Sequence, residues 1–246
     1  MKIKKFKLFS ILTLLLCFSI VFYAKSNDSQ RKKSVLLVYG GYEGHTPGEF
    51  KDLFLPWLQE QGFDVVVSNS LEIYADKEKM QNFDLILQSY TMGTLTKEES
   101  DGLMTAVKNG TGIAGPHGGL GDSFRGNTSY LFMVGGQFVA HPGGKIEHEV
   151  NIIDNDDPIT KGLSDFSITT EQYYMLVDPG VDVLATTTFS GKYSPWIDGV
   201  VMPVVWKKMF GKGKVFYISV GHSVDDFEIA QVMKMMQRGI MWAMRD

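Results

Sequence analysis

Cysteine is almost absent from this 246-residue chain, and its single copy is Cys17. Cys17 sits inside an N-terminal apolar stretch and follows Leu14-Leu15-Leu16, which lacks the small residue a lipoprotein cleavage site needs. Beyond residue 26 there is none, so disulfides, a thiolate nucleophile and zinc-thiolate sites are excluded whatever the compartment. Long apolar runs are equally scarce. The one candidate, residues 8–23, is short for a ~20-residue membrane span. It follows Lys2, Lys4, Lys5 and Lys7 and precedes Ala24-Lys25-Ser26, a small-x-small cleavage pattern. The expected organisation is an export signal over residues 1–26, a short polar linker over 27–33 and one domain over 34–246. The product is then periplasmic or secreted, with no stable membrane span after cleavage.

Positive charge is also in short supply. Removing residues 1–26 takes away five lysines and no acids, leaving 19 basic and 28 acidic residues and a net charge of −9. That balance argues against nucleic acid and anionic membrane as partners. No repeat or low-complexity segment is visible. No Rossmann G-x-G-x-x-G is present, so no nucleotide cofactor is expected. No H-E-x-x-H announces a zinc helix.

What is present is an alternation of strand and helix signals. Residues 35–39, 64–68, 83–88 and 110–115 read as strands. Residues 48–61 carry helical spacing, and Thr96 with Glu99 forms a capping pattern that opens a helix to Lys108. Residues 145–154 alternate, with Ile146, His148, Val150 and Ile152 on one face. Residues 181–187 and 214–220 are further strands, and 224–244 should close the fold as one helix. The β-α repetition predicts an α/β fold with a doubly wound, mostly parallel sheet.

Five histidines are distributed with purpose. His45, His117 and His222 each follow a short strand-like run, where open α/β sheets bind ligands. Gly40-Gly41-Tyr42-Glu43-Gly44-His45 allows tight turns and close approach. Gly115-Pro116-His117-Gly118-Gly119 sits where related folds carry a nucleophile elbow, but it holds neither Ser nor Cys. An imidazole there serves as base, acid or metal ligand, and the Gly118 and Gly119 N–H groups are candidate oxyanion donors. Without a ligand the same residues make a plain turn. Arg125 is a candidate fork for carboxylate, phosphate or sugar hydroxyls, against a surface ion pair. His141-Pro142 is another turn histidine, while His148 reads as a face residue of its strand. Glu171 can orient a histidine or complete a metal sphere, and Tyr173 can stack on a sugar ring. Trp196 and Trp206 read by default as core aromatics, with a sugar platform as the alternative.

In order, these segments resemble the ThuA-like family, named for trehalose utilisation. The match runs through Gly40-Gly41 with Gly44-His45, Gly115-Pro116-His117-Gly118-Gly119, Ser123-Phe124-Arg125 and His141-Pro142. It continues through Asp157-Pro158-Ile159-Thr160-Lys161-Gly162-Leu163, Glu171-Gln172-Tyr173, Pro203-Val204-Val205-Trp206 and Gly221-His222. The resemblance implies a class I glutamine amidotransferase-like, flavodoxin-like three-layer architecture without that fold's cysteine. His222 falls where the fold places its catalytic histidine. Thr170 departs from the acid the family often has before the Glu, which counts against a two-carboxylate scheme. Lys214 stands where an Arg is common.

The implied function lies in carbohydrate metabolism, with a small-molecule carbohydrate as partner. The expected enzyme is an isomerase, lyase or hydrolase acting on a keto-sugar or (3-keto-)glycoside. Its catalytic groups would be His117, His222 and Glu171, with Arg125, Gly118, Gly119, Tyr173 and Gly41 binding substrate. His45, His117, His141 and His222 are candidate ligands for a divalent metal such as Zn²⁺. A non-catalytic carbohydrate-binding protein and a cysteine-free hydrolase using activated water stand beside this reading.

Overall fold

A computed structural model describes residues 31–246. The export signal, its cleavage site, most of the linker and Cys17 lie outside the described residues. No described helix is long and apolar enough to cross a membrane.

The chain runs β1 (Ser34–Gly41), α1 (Pro47–Glu60), β2 (Asp64–Ser68), α2 (Lys77–Gln81), β3 (Leu85–Thr91), α3 (Lys97–Lys108), β4 (Gly112–Pro116), α4 (His117–Gly121) and α5 (Thr128–Val134). It continues with β5 (Gly136–Ala140), β6 (Lys145–Ile152), β7 (Phe166–Glu171), β8 (Tyr174–Val177), β9 (Asp182–Thr188), β10 (Val201–Phe210), β11 (Gly213–Ile218) and α6 (Ala230–Ala243). Nine strands form one sheet in the order β2-β1-β3-β4-β11-β10-β9-β6-β7, and β5 pairs with β8 in a separate ribbon. The first five are parallel neighbours. The remaining four pairings are antiparallel, yet their alternation leaves seven of the nine strands pointing one way. The expected mostly parallel sheet is therefore present in direction, extended by antiparallel strands at one side.

The central strands are buried on both faces, which is why they read as unbroken apolar runs. Val35, Leu36, Leu37 and Val38 are fully buried, as are Leu85, Ile86 and Leu87. Each such aliphatic side chain contributes roughly 1.5–3 kcal/mol by leaving water. One face packs against α1 and α6 through Phe50, Phe54, Leu58, Met235, Met236 and Ile240. The other packs against α3 and α5 through Leu103, Ala106, Val107, Tyr130 and Met133. The Thr96–Glu99 capping box forms as expected, with both reciprocal bonds made.

Two expectations need correction. The final helix does not begin at 224: residues Val224–Glu228 form a 3₁₀ turn, and α6 starts at Ala230. The Asp226 side chain turns back to accept from the Gly221 and His222 N–H groups, which holds this segment out of the helix. Trp206 is core, fully buried with its indole N–H donating to the Val134 carbonyl. Trp196 is not core: it is 83% exposed.

β6 joins the main sheet only through Asn151 and Ile152. β7 pairs along β6 and ends with Glu171 at the sheet's carboxyl edge.

Candidate active site

Four side chains from four separate segments meet at that edge. His45 closes a 3₁₀ turn after β1. His117 opens α4 directly after β4, with φ of 45°, a left-handed conformation costly for a residue with a Cβ. This is the strand-to-helix elbow expected from the sequence. His222 follows β11 across Gly221, and Glu171 ends β7. One ligand atom from each of His45, His117, Glu171 and His222 lies within 4.8 Å of the others. The imidazole centroids are 4.7 Å (His45–His117), 5.1 Å (His45–His222) and 5.2 Å (His117–His222) apart.

Three of these atoms form a tight triangle. Glu171 Oε2 is 3.1 Å from His117 Nε2 and 3.2 Å from His222 Nδ1, and the two nitrogens are 3.4 Å apart. A tetrahedral zinc site with bonds near 2.05 Å has ligand-to-ligand edges of about 3.3 Å. His117 Nδ1 donates to the Ser219 carbonyl oxygen at 2.7 Å, so a neutral His117 presents a bare lone pair at Nε2. Burial lowers the pKa of His117, against the opposing pull of Glu171. Burial works against the Glu171 carboxylate too, but the adjacent His117 and His222 imidazoles outweigh that and hold its pKa below the ordinary carboxylate range. Burial, aided by His117 and His222, pushes His45 down to about 3. Three imidazole nitrogens converging with one carboxylate oxygen and no sulfur suit Zn²⁺ or another borderline divalent ion.

The supporting residues hold this geometry from outside. Thr91 Oγ1 lies 2.9 Å from His45 Nδ1. Tyr217 donates to the His117 carbonyl, and the Tyr173 ring stacks on the His117 imidazole at 3.9 Å. Gln88, fully buried, donates to the Gly119 carbonyl and to the Ser123 and Tyr130 hydroxyls, tying α4 to β3. Asp226 Oδ2 accepts from the Thr170 hydroxyl and from the Gly221 and His222 N–H groups. None of Thr91, Ser219, Gln88 and Asp226 stood out in the sequence. Asp226 carried the only available hint, an acid four residues after a turn histidine.

The other expected residues fall in distinct places. His141 Nε2 lies 3.7 Å from Glu171 Oε1, outside the four-residue set, and its side chain is 40% exposed. Arg125 makes a bidentate pair with Asp122 (Nε to Oδ1 2.5 Å, Nη2 to Oδ2 2.6 Å) and its guanidinium lies over Phe138. Phe138 in turn packs on His141 and Tyr173, so Arg125 borders the site while its fork is already engaged. Tyr173 is buried against His117 and Phe138, so it braces the imidazole and offers no free face to a sugar. A Cβ at Gly41 would lie 1.9 Å from the Thr91 carbonyl oxygen, so this glycine serves strand contact. At Gly118 a Cβ would meet His45 Cε1 at 2.5 Å, and at Gly119 the Ser89 Cα at 2.7 Å. Those glycines let the elbow approach its neighbours. His148 is buried within β6, bonded to its own strand at the Ile146 carbonyl. A cleft of about 730 Å³ between α3, α5 and β10 shares no residue with the imidazole cluster.

A family model described as "Trehalose utilisation" matches residues 34–243. The chain belongs to the ThuA family. Among solved structures, a ThuA-like protein from Bacteroides uniformis is 20% identical with a TM-score of 0.73, covering 89% of this chain and 94% of that one. A second, from Parabacteroides merdae, is 18% identical with a TM-score of 0.68, covering 87% and 90%. A β-galactosidase from Bacillus circulans is 12% identical with a TM-score of 0.51 and matches 87% of this chain but 32% of its own. At these identities the likeness shows the fold, here recurring as one portion of a longer glycosidase. No curated protein matches the chain. ThuA membership places the protein in a family of carbohydrate metabolism with a glutamine amidotransferase-like fold.

Proposed function

We propose that this ThuA protein is an enzyme acting on a glycoside or keto-sugar, and that it holds a divalent cation such as Zn²⁺ through His45, His117, Glu171 and His222. The observation that carries the reading is the triangle of 3.1, 3.2 and 3.4 Å among His117 Nε2, Glu171 Oε2 and His222 Nδ1. Those spacings match the edges of a metal polyhedron, and the Ser219 carbonyl commits the one His117 proton elsewhere.

A bound divalent ion supplies Lewis acidity toward a carbonyl or enediolate oxygen. The chain's own groups do the rest. Burial lowers the pKa of His45 and His117, which favours their neutral, metal-binding forms. His141, outside the ligand set and more exposed, faces the second oxygen of Glu171 and is the group placed to exchange a proton with a substrate carbon beside a carbonyl. Such proton transfer serves isomerisation, epimerisation or β-elimination of a keto-sugar.

Protein purified without a His-tag tests the reading in two measurements. Mass spectrometry of metal content should find about one equivalent of Zn, Mn, Ni or Fe, lost in His117→Ala. Incubation with a 3-keto-glycoside in D₂O should exchange the hydrogen next to the carbonyl, followed by NMR. No metal after loading with those ions removes the cation from the proposal. Saccharide binding with neither exchange nor turnover makes the protein a binding module.

A further inference from the structure

The loop between β9 and β10, residues 189–200, emerges at the same sheet edge as the imidazole cluster. β9 runs in the direction of the parallel strands, so its carboxyl end lies with theirs. In the sheet order this loop stands between β11, which leads to His222, and the β6–β7 ribbon, which ends in Glu171. Its base is tied to the site: the Gln172 amide, next to Glu171, donates to Thr187 Oγ1 and the Thr188 carbonyl. Its middle leans on the His141 turn, where a Cβ at Gly143 would meet the Tyr193 ring at 2.5 Å.

The loop is built to hold a fixed shape. Phe189 and Val200 close its neck by backbone bonds, and further bonds run Ser194 to Gly191, Ile197 to Ser194 and Asp198 to Pro195. Phe189 and Ile197 are buried and anchor it to the core. Between these anchors Trp196 stands 83% exposed, and Tyr193 is 47% exposed with Lys192 over its ring. Trp196 lies three residues from Tyr193, hence within about 11 Å of it along the chain. An indole in water forfeits the burial that aromatic side chains usually gain. The polar residues Ser190, Lys192 and Asp198 lie in the same loop and add hydrogen-bonding groups to it.

We propose that Trp196, on this hydrogen-bonded loop, is a stacking subsite for a second sugar ring, remote from the reacting one. This rests on the carbohydrate reading above and narrows it to glycosides of at least two rings. A pyranose offers an apolar C–H face with hydroxyls at its rim, which an exposed aromatic plate in a loop with polar side chains complements. A pre-ordered plate also loses little entropy on binding.

Calorimetric titration of the full chain with glucose, trehalose, maltose and cellobiose, in wild type, Trp196→Ala and Trp196→Phe, tests the subsite. The expected result is that Trp196→Ala weakens at least one disaccharide roughly three- to tenfold, that glucose is unaffected, and that Trp196→Phe restores most of the loss. The same disaccharide should shield tryptophan fluorescence from iodide in wild type. Unaltered disaccharide binding in Trp196→Ala overturns the subsite and leaves the carbohydrate reading intact. Failure of every saccharide to bind wild type removes both. Exposed as it is, Trp196 can be replaced without disturbing the core, and an unchanged melting temperature checks this.

Discussion

His117 Nδ1 donates to the carbonyl oxygen of Ser219 at 2.7 Å, and this one bond decides which nitrogen faces the site. A backbone acceptor cannot be mutated away, so the orientation is built into the main chain just after β11. His117→Asn keeps a donor near Ser219 but removes the Nε2 lone pair. It should lower metal affinity and turnover by roughly 100-fold or more. Retention of full metal content would count against His117 as a ligand.

Asp226 links the two strands that bring Glu171 and His222 together. Its Oδ2 takes the hydroxyl of Thr170, beside Glu171, and the N–H of His222. Asp226→Ala leaves buried donors without an acceptor and should cost about 1–3 kcal/mol of stability. Asp226→Asn retains an acceptor and should fold nearly as well, yet bind metal about 10- to 100-fold more weakly as His222 shifts. Calorimetric metal titration alongside urea unfolding separates the two effects, and equal affinity in Asp226→Asn would refute the positioning role.

Gly118→Ala should displace His45. The new methyl would lie 2.5 Å from His45 Cε1 and 2.7 Å from Nδ1, so the imidazole must move. A drop in metal affinity of roughly tenfold, with little change in melting temperature, is expected. The sign reverses the argument if affinity is unchanged, because His45 would then lie outside the coordination sphere.

Acid should destabilise the metal-free protein from near neutrality downward. Burial holds His45 at about 3, and burial likewise lowers His117 and His148 from the ordinary 6.5. Below pH 6.5 the unfolded chain takes up protons that the folded chain refuses, so stability is full above that value and falls toward pH 3. Urea midpoints at pH 7.5, 5.5 and 4.5 should decline in that order. His148→Gln, remote from the ligand set, should lessen the slope, and a flat wild-type profile would contradict the burial argument.

Much of the fold could be read from residue patterns because the central strands are buried on both faces. Val35 to Val38 and Leu85 to Leu87 leave uninterrupted apolar runs. The Thr96–Glu99 capping box was equally plain, being a local signal. The β5–β8 ribbon and α5 were not seen, since short, half-buried elements among glycines carry weak periodicity. At the site, His45, His117 and His222 announced themselves by following strands. Asp226, Gln88 and the Ser219 carbonyl did not, because their roles depend on contacts across 4 to 102 positions of sequence that no motif spacing encodes. Trp196 was misjudged because an indole's composition does not tell which way a loop turns it.

The four ligand candidates come from positions 45, 117, 171 and 222, so no short stretch of this chain contains the whole site. Their atoms converge only once β1, β4, β11 and the β6–β7 ribbon have all docked. An ion gripped there therefore bridges the first strand of the domain to its last and closes long chain loops that an unfolded chain would leave open. If the proposed ion is held there, stripping it with a chelator should therefore lower the urea midpoint of the whole domain rather than loosen one loop.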